Sequence, residues 1–189
     1  MYKKILLVTV TLVLMLSSCI KKDDVTLSTN IAELDVASYN GNFGTLTYPF
    51  VTRQPLPGRA ILGADAFITR ASSTATFRVN LLGVQRSTPI NVKFQTFAVG
   101  ANVGASVTYG SPISSTLTTI DAVAGTHYTA VTGTCTIPAN SSFGTITIPI
   151  INSGISANNT ALLGIELIDG GDISVSANYK KVAFAISQK

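Results

Sequence analysis

A chain of 189 residues with 46% apolar residues, 12% charged residues and a mean hydropathy of +0.41 has the composition of a folding protein, which excludes a disordered polyelectrolyte. Against 24 Thr, 18 Ser and 15 Gly stand only two Glu, Glu33 and Glu166, so helix formers are scarce and strands are the default expectation. The formal charge of +4 is spread thinly, with basic pairs only at 3–4, 21–22 and 180–181, which excludes a nucleic-acid footprint.

The first 18 residues read as a leader: Lys3 and Lys4 form a basic start, and Ile5 to Leu16 form an apolar run too short to span a bilayer as a helix. The run ends in Leu16-Ser17-Ser18-Cys19, which resembles a bacterial lipobox, with the Cys19 thiol as the acylation nucleophile. The residue order favours lipidation of Cys19 over an ordinary signal peptide cut beside Ser17 or Ser18, and two or three acyl chains would anchor the chain stably in a membrane. Residues 19–25 then form a tether. Its Lys21-Lys22-Asp23-Asp24 resembles the surface-export signal of Bacteroidota lipoproteins, which implies an outer-membrane protein at the cell surface; a plain hydrophilic tether is the competing reading. Setting Lys3 and Lys4 aside lowers the formal charge to +2.

Residues 26–189 are expected to form one β-sandwich domain with ample core and no need of disulfides. Within it, 26–70 is an irregular N-terminal extension, either extra strands and loops on the sandwich or a small subdomain. Gly44 to Val51 reads as a strand interrupted by Pro49, Gln54 to Gly58 as a loop, and Ala60 to Thr69 as a further strand with Ile61 and Phe67 in the core.

From Ala75 the pattern has period two. Phe77, Val79 and Leu81 alternate with polar residues, as do Ile90, Val92 and Phe94, and the short break between them suits an antiparallel hairpin. Val99 to Ser115, rich in Gly, Ser and Ala, reads as a surface loop or ragged hairpin. Thr134 to Ile137 and Thr145 to Ile151 form a second pair across the turn-forming 138–142 segment, and Pro149 marks a sheet edge or bulge. Leu163, Ile165 and Leu167 pair with Val182, Phe184 and Ile186 in a third. Six such strands, each with one apolar face and no helix of consequence, predict an all-β, immunoglobulin-like antiparallel β-sandwich.

The run Ile120-Asp121-Ala122-Val123-Ala124-Gly125-Thr126-His127-Tyr128, continued by Gly133-Thr134-Cys135-Thr136-Ile137 and by Gly144-Thr145-Ile146-Thr147-Ile148-Pro149, resembles Calx-beta domains. The resemblance covers 71–189 as a Calx-beta-like core. A variant with histidine before the tyrosine is similar to an uncharacterised family of Bacteroidota surface lipoproteins, often found alongside glycan-uptake systems. Read physically, Gly125 relieves the turn, Tyr128 drops its ring into the sandwich with its hydroxyl reaching a backbone partner, and Gly133 opens the next strand. Calcium-binding members of the family carry acidic clusters at the loop ends. The matching places here are Asn152 and Ser153, and His127 replaces the turn aspartate, so the resemblance implies no metal site. Asp169 and Asp172 flank a double glycine and read as turn residues.

No catalytic residue is assigned. His127 is the only histidine, no Gly-x-Ser-x-Gly elbow occurs, and no motif selects a carboxylate pair from the scattered acids. Glu166, between Ile165 and Leu167, is expected to point to solvent. Cys135 shares a strand face with Ile137 and reads as a buried small hydrophobe rather than a nucleophile or ligand. No cofactor is expected. Tyr39, Phe43, Tyr48 and Tyr109 lie in irregular stretches, where they either offer faces to sugar rings or fill the end of the sandwich; Tyr39, Tyr48 and Tyr109 are the candidate ligand-binding residues. The whole points to a non-catalytic, lipid-anchored surface protein, a glycan-binding accessory or spacer module, with a polysaccharide or surface protein as partner. The alternative is a fimbria-like structural, adhesive or protein-binding subunit.

Overall fold

The computed structural model describes residues 29–35, 44–100 and 102–189; the leader, Cys19 and the tether lie outside the described residues. Eleven strands are present among them: β1 (Ile31–Leu34), β2 (Phe50–Val51), β3 (Thr74–Leu82), β4 (Ile90–Ala98), β5 (Ser106–Tyr109), β6 (Ser115–Asp121), β7 (Thr134–Ile137), β8 (Phe143–Pro149), β9 (Asn159–Ile168), β10 (Ser174–Val175) and β11 (Lys181–Ser187). There is no helix among the described residues.

Two sheets pack face to face. The first has the order β10-β1-β3-β8; the second has the order β2-β11-β9-β4-β7, with β6 beside the start of β9 and β5 beside β6. The expected sandwich is therefore observed, but its sheets are mixed. Pairs β1–β10, β2–β11 and β6–β9 run parallel. Parallel neighbours need long connections, and each of these pairs joins strands far apart in the chain, which no local turn signal announces.

Alternation builds the interior. In β3 every second residue, Ala75, Phe77, Val79 and Leu81, is buried, and β8 contributes Ile146 and Ile148 from the same sheet. The facing sheet supplies Ile90, Val92, Phe94, Ile137, Leu163, Ile165, Leu167, Val182, Phe184 and Ile186 to the same cluster. Phe77 and Phe184 meet edge to face across the gap, ring centroids 5.8 Å apart, a geometry that aromatic quadrupoles favour.

Two of the three expected hairpins are not hairpins. β3 pairs with β1 and β8 while β4 pairs with β7 and β9, so residues 83–89 arch from one sheet to the other. Asn30 clamps that arch, its amide donating to the Val84 carbonyl and its oxygen accepting from the Val84 N–H. Likewise β7 and β8 belong to different sheets, and 138–142 is a second arch. A short turn between two strands with one apolar face each serves either purpose: both faces are buried when the strands pair in one sheet, and equally when they oppose across the core. The third expectation holds, with β9 and β11 antiparallel in register from Lys181↔Glu166 to Ser187↔Thr160. Pro149 sits on β8, an edge strand of its sheet.

A second apolar cluster lies on the outer face of the second sheet. Leu46, Phe50, Val99, Val107, Tyr109 and Leu117 cover Leu162, Ala183 and Ala185. β9 is thus buried on both faces over most of its length, and β11 likewise. The 99–115 stretch forms the ragged hairpin β5–β6 that roofs this cluster. Residues of the N-terminal extension are part of the same body: β1 pairs with β3, β2 pairs with β11, and Val51 and Ile68 are fully buried in the sandwich core. Ala60 to Thr69 is not a strand as expected; its backbone pairs with its neighbours at the isolated bridges Arg53↔Phe67 and Thr69↔Ser187. Asp65 holds this loop, accepting from the Arg59 guanidinium at 2.5 and 2.9 Å and from the Leu62 N–H at 2.7 Å.

Candidate functional site

The uncovered part of the outer face of the second sheet carries two cross-strand rows. Gln95, Glu166 and Lys181 stand in register on β4, β9 and β11; one step along the strands, Phe97, Gly164 and Ala183 form the next row. The two rows are about 7 Å apart, two residues of strand rise.

Gly164 makes the aromatic row possible. A Cβ built on it would stand 2.5 to 2.7 Å from three ring carbons of Phe97, so the ring lies flat against the strand where any other residue would hold it off. Tyr48 packs edge to face against Phe97, centroids 5.8 Å apart, and both are half-buried. The Lys181 ammonium lies 5.4 Å from the Phe97 centroid, within cation–π range. Burial, with the Asp121 and Glu166 carboxylates nearby, holds the Tyr48 hydroxyl above its ordinary range and hence neutral.

The polar row is knit together. Glu166 accepts from the Gln95 amide at 3.3 Å and lies 3.5 Å from both the Lys180 and the Lys181 ammonium groups. It lies on the outer face as expected, but its side chain is only 15% exposed, sheltered among these partners. Burial alone would raise its carboxyl, but the Gln95 hydrogen bond and the two lysines outweigh it and hold the group below the usual carboxylate range. Beside this row opens a cleft of about 350 Å³ lined by Glu166, Asp169, Val175, Ser176 and Lys180 among others.

Of the three tyrosines proposed from the sequence, Tyr48 belongs to this shelf. Tyr109 must be corrected: it is 2% exposed, its ring edge to face with Phe67 at 5.1 Å and its hydroxyl accepting from the Thr160 hydroxyl at 3.2 Å. Burial pushes that hydroxyl up to about 12. A ring sealed inside the second cluster has no face to offer a ligand. Tyr39 and Phe43 lie outside the described residues. Phe97 and Gly164 escaped the sequence reading, although the signal was there: counted from Phe94 and Leu163, both fall on the polar face of their strands.

The remaining candidates for chemistry act as fasteners. His127 accepts from the Val123 N–H through Nδ1 at 2.9 Å, closing the turn in which Gly125 takes φ +81°, and burial lowers its basicity. Tyr128 is 7% exposed as expected, but its hydroxyl donates to the Thr96 hydroxyl at 3.2 Å rather than to a backbone group. Cys135 is 2% exposed and its thiol is pushed up to about 11 by burial, so it is unreactive at neutral pH. Asp121, Asp169 and Asp172 each accept a backbone N–H, from Gly100, Val175 and Asn91. Asn152 accepts from the Arg70 guanidinium at 2.6 Å and from the Gly154 N–H at 3.0 Å. Among the described residues no group of three or more His, Cys, Asp and Glu is placed to hold a metal ion.

No protein-family model and no curated protein matches the chain. Among solved structures it is similar to the apo-form Calx CBD1 domain, at 12% identity and a TM-score of 0.46 over 84% of this chain and 98% of that one. It is also similar to CBD12 from CALX1.2, at 15% identity and a TM-score of 0.42, spanning 40% of that chain and 63% of its own. A Bacteroides ovatus protein of unknown function is similar at 11% identity and a TM-score of 0.38, with 62% of this chain and 43% of that one covered.

Proposed function

We propose that this protein is a non-catalytic, lipid-anchored module of the outer-membrane surface that captures polysaccharide on the shelf formed by Tyr48 and Phe97. The observation that carries this reading is the shelf itself: an aromatic row laid on Gly164, one strand step from the Gln95–Glu166–Lys181 row. A pyranose ring has an apolar C–H face and a rim of hydroxyls, and it asks for this pairing of an aromatic surface with convergent donors and acceptors. The carboxylate of Glu166, held ionised between two lysines, holds Gln95 and Lys181 in the row beside the ring and does not serve as a proton donor. Affinity electrophoresis and calorimetry against a polysaccharide panel test the proposal. Folded protein should retain at least one polymer and Phe97→Ala should lose it; no binding to any polymer overturns the reading.

The anchor is part of the same proposal and rests on Leu16-Ser17-Ser18-Cys19. Metabolic labelling with palmitate in a bacterial host should mark the wild-type chain and leave Cys19→Ala unmarked.

A second reading, a structural or adhesive subunit, draws on β8, an edge strand with no charged residue in its seven and with Phe143 47% exposed at its start. Uncharged edges invite strand pairing with another chain. Self-association in analytical ultracentrifugation that Thr145→Lys abolishes would favour this reading; a monomer at all concentrations counts against it as far as pairing between copies is concerned.

A further inference from the structure

The charges beside the shelf are unequally exposed. Lys180 and Lys181 both lie 3.5 Å from the same oxygen of Glu166, and their side chains are 41% and 39% exposed, whereas that of Glu166 is 15% exposed. One carboxylate cannot neutralise two ammonium groups, and its second oxygen already accepts from Gln95. The negative partner is thus sheltered and engaged while both positive ones reach solvent. On the next outward position of β4 stands Lys93, also exposed. Two other acids stand at the ends of this region: Asp121, toward the Tyr48 end, accepts the Gly100 N–H at 3.0 Å, and Asp169, exposed in the cleft beyond Lys180, accepts the Val175 N–H at 3.4 Å. From the aromatic row toward the cleft, a ligand meets the half-buried Phe97 ring, then the exposed Lys181 and Lys180 ammonium groups, with the Asp169 carboxylate beyond them.

We infer that the polymer held on this shelf is an acidic polysaccharide, its anionic groups met by Lys180 and Lys181 while a sugar ring lies on Phe97. This deepens the glycan-capture reading and rests on it. Carboxylate and sulfate present the same charge to an ammonium group, which is a point donor with no preference for a planar fork. The aromatic row and the lysines lie about one strand step apart, so a single sugar or two neighbours along a chain bridge them.

The experiment is binding of the whole protein to four polymers, a polygalacturonate, a sulfated galactan, a neutral β-glucan and a neutral mannan, at low and high ionic strength. The expected result is retention of a charged polymer, weakened about tenfold by high salt because exposed ammonium groups are screened. Which of the two charged polymers binds tells carboxylate from sulfate. Lys180→Gln with Lys181→Gln should reduce that binding at least about fivefold with unchanged circular dichroism, as expected for exposed charge contacts. Glu166→Gln, which removes the competing charge and keeps an acceptor for Gln95, should tighten it. Preference for a neutral polymer with no salt dependence, or unaltered binding in the double lysine variant, overturns this inference while leaving glycan capture standing. Binding to none of the four polymers, or to any other in the wider panel, overturns both.

Discussion

Gly164 does at the shelf what no other residue could do, because the Phe97 ring occupies the space of its missing Cβ. Gly164→Ala should swing the ring outward at a stability loss of about 1 kcal/mol, the low end for overpacking, since the ring is at the surface and free to give way. Polymer binding should fall far more than the melting temperature; equal binding with a displaced ring would remove Phe97 from the site. His127 offers a pH test. Its imidazole is the only one in the chain, and burial lowers its pKa in the folded state. The sign follows from linkage: the unfolded chain takes up the proton first, so this contribution is complete above the ordinary value near 6.5 and is lost as pH falls through the lower folded value. A single imidazole resonance should titrate below 6.5, and amide exchange at Val123 should quicken with it, because a protonated Nδ1 no longer accepts the Val123 N–H.

At the scale of the element, β9 is the test of the double burial. Leu163 faces the sandwich and Leu162 faces the second cluster, and they are 1% and 0% exposed. In a two-layer sandwich only one of two successive residues would matter. Here Leu162→Ala and Leu163→Ala should each lower stability by about 2–5 kcal/mol in urea unfolding, the usual range for an emptied buried leucine site; a change under about 0.5 kcal/mol at Leu162, the level of an ordinary surface substitution, would show the outer face to be open. The same elements explain what could be read from the sequence. β9 and β11 were legible as partners because their apolar runs match in length across one connection. The pairs 75–81 with 90–95, and 134–137 with 145–151, were legible as strands but not as members of opposite sheets, because period two records which face is buried and not which sheet the strand joins. β2, at two residues, carries no period at all.

For the whole molecule the N-terminal segment decides whether the body holds together. Residues 44–70 place Leu46, Phe50, Val51, Ile61 and Ile68 in the two clusters, all under 9% exposed, and β1 adds Ala32 and Leu34. At about 1.5–3 kcal/mol for each large buried side chain, their removal matches or exceeds the 5–15 kcal/mol of net stability a domain has. A chain beginning at residue 71 should therefore lack a cooperative melting transition and expose apolar surface to a hydrophobic dye; a sharp transition would show the segment to be an appendage. Glu166 adds a pH dependence. Its carboxyl is lowered in the fold, so its contribution is present above the ordinary carboxylate value and is lost as pH falls through the lower folded one.

The sequence by itself determined that the chain is all-β, which residues of each long strand face inward, that Cys135 and Tyr128 are interior, and that Asp169 and Asp172 sit in a turn. These are local properties: β-propensity, a period of two and the few residues that tolerate tight turns. The tertiary structure alone decided the sheet to which each strand belongs, the second cluster that buries Tyr109, and the meeting of Phe97, Gly164, Tyr48, Glu166 and Lys181 on one face. Those depend on contacts between residues far apart in the chain, whose selection comes from packing the whole body at once and leaves no mark in any one segment.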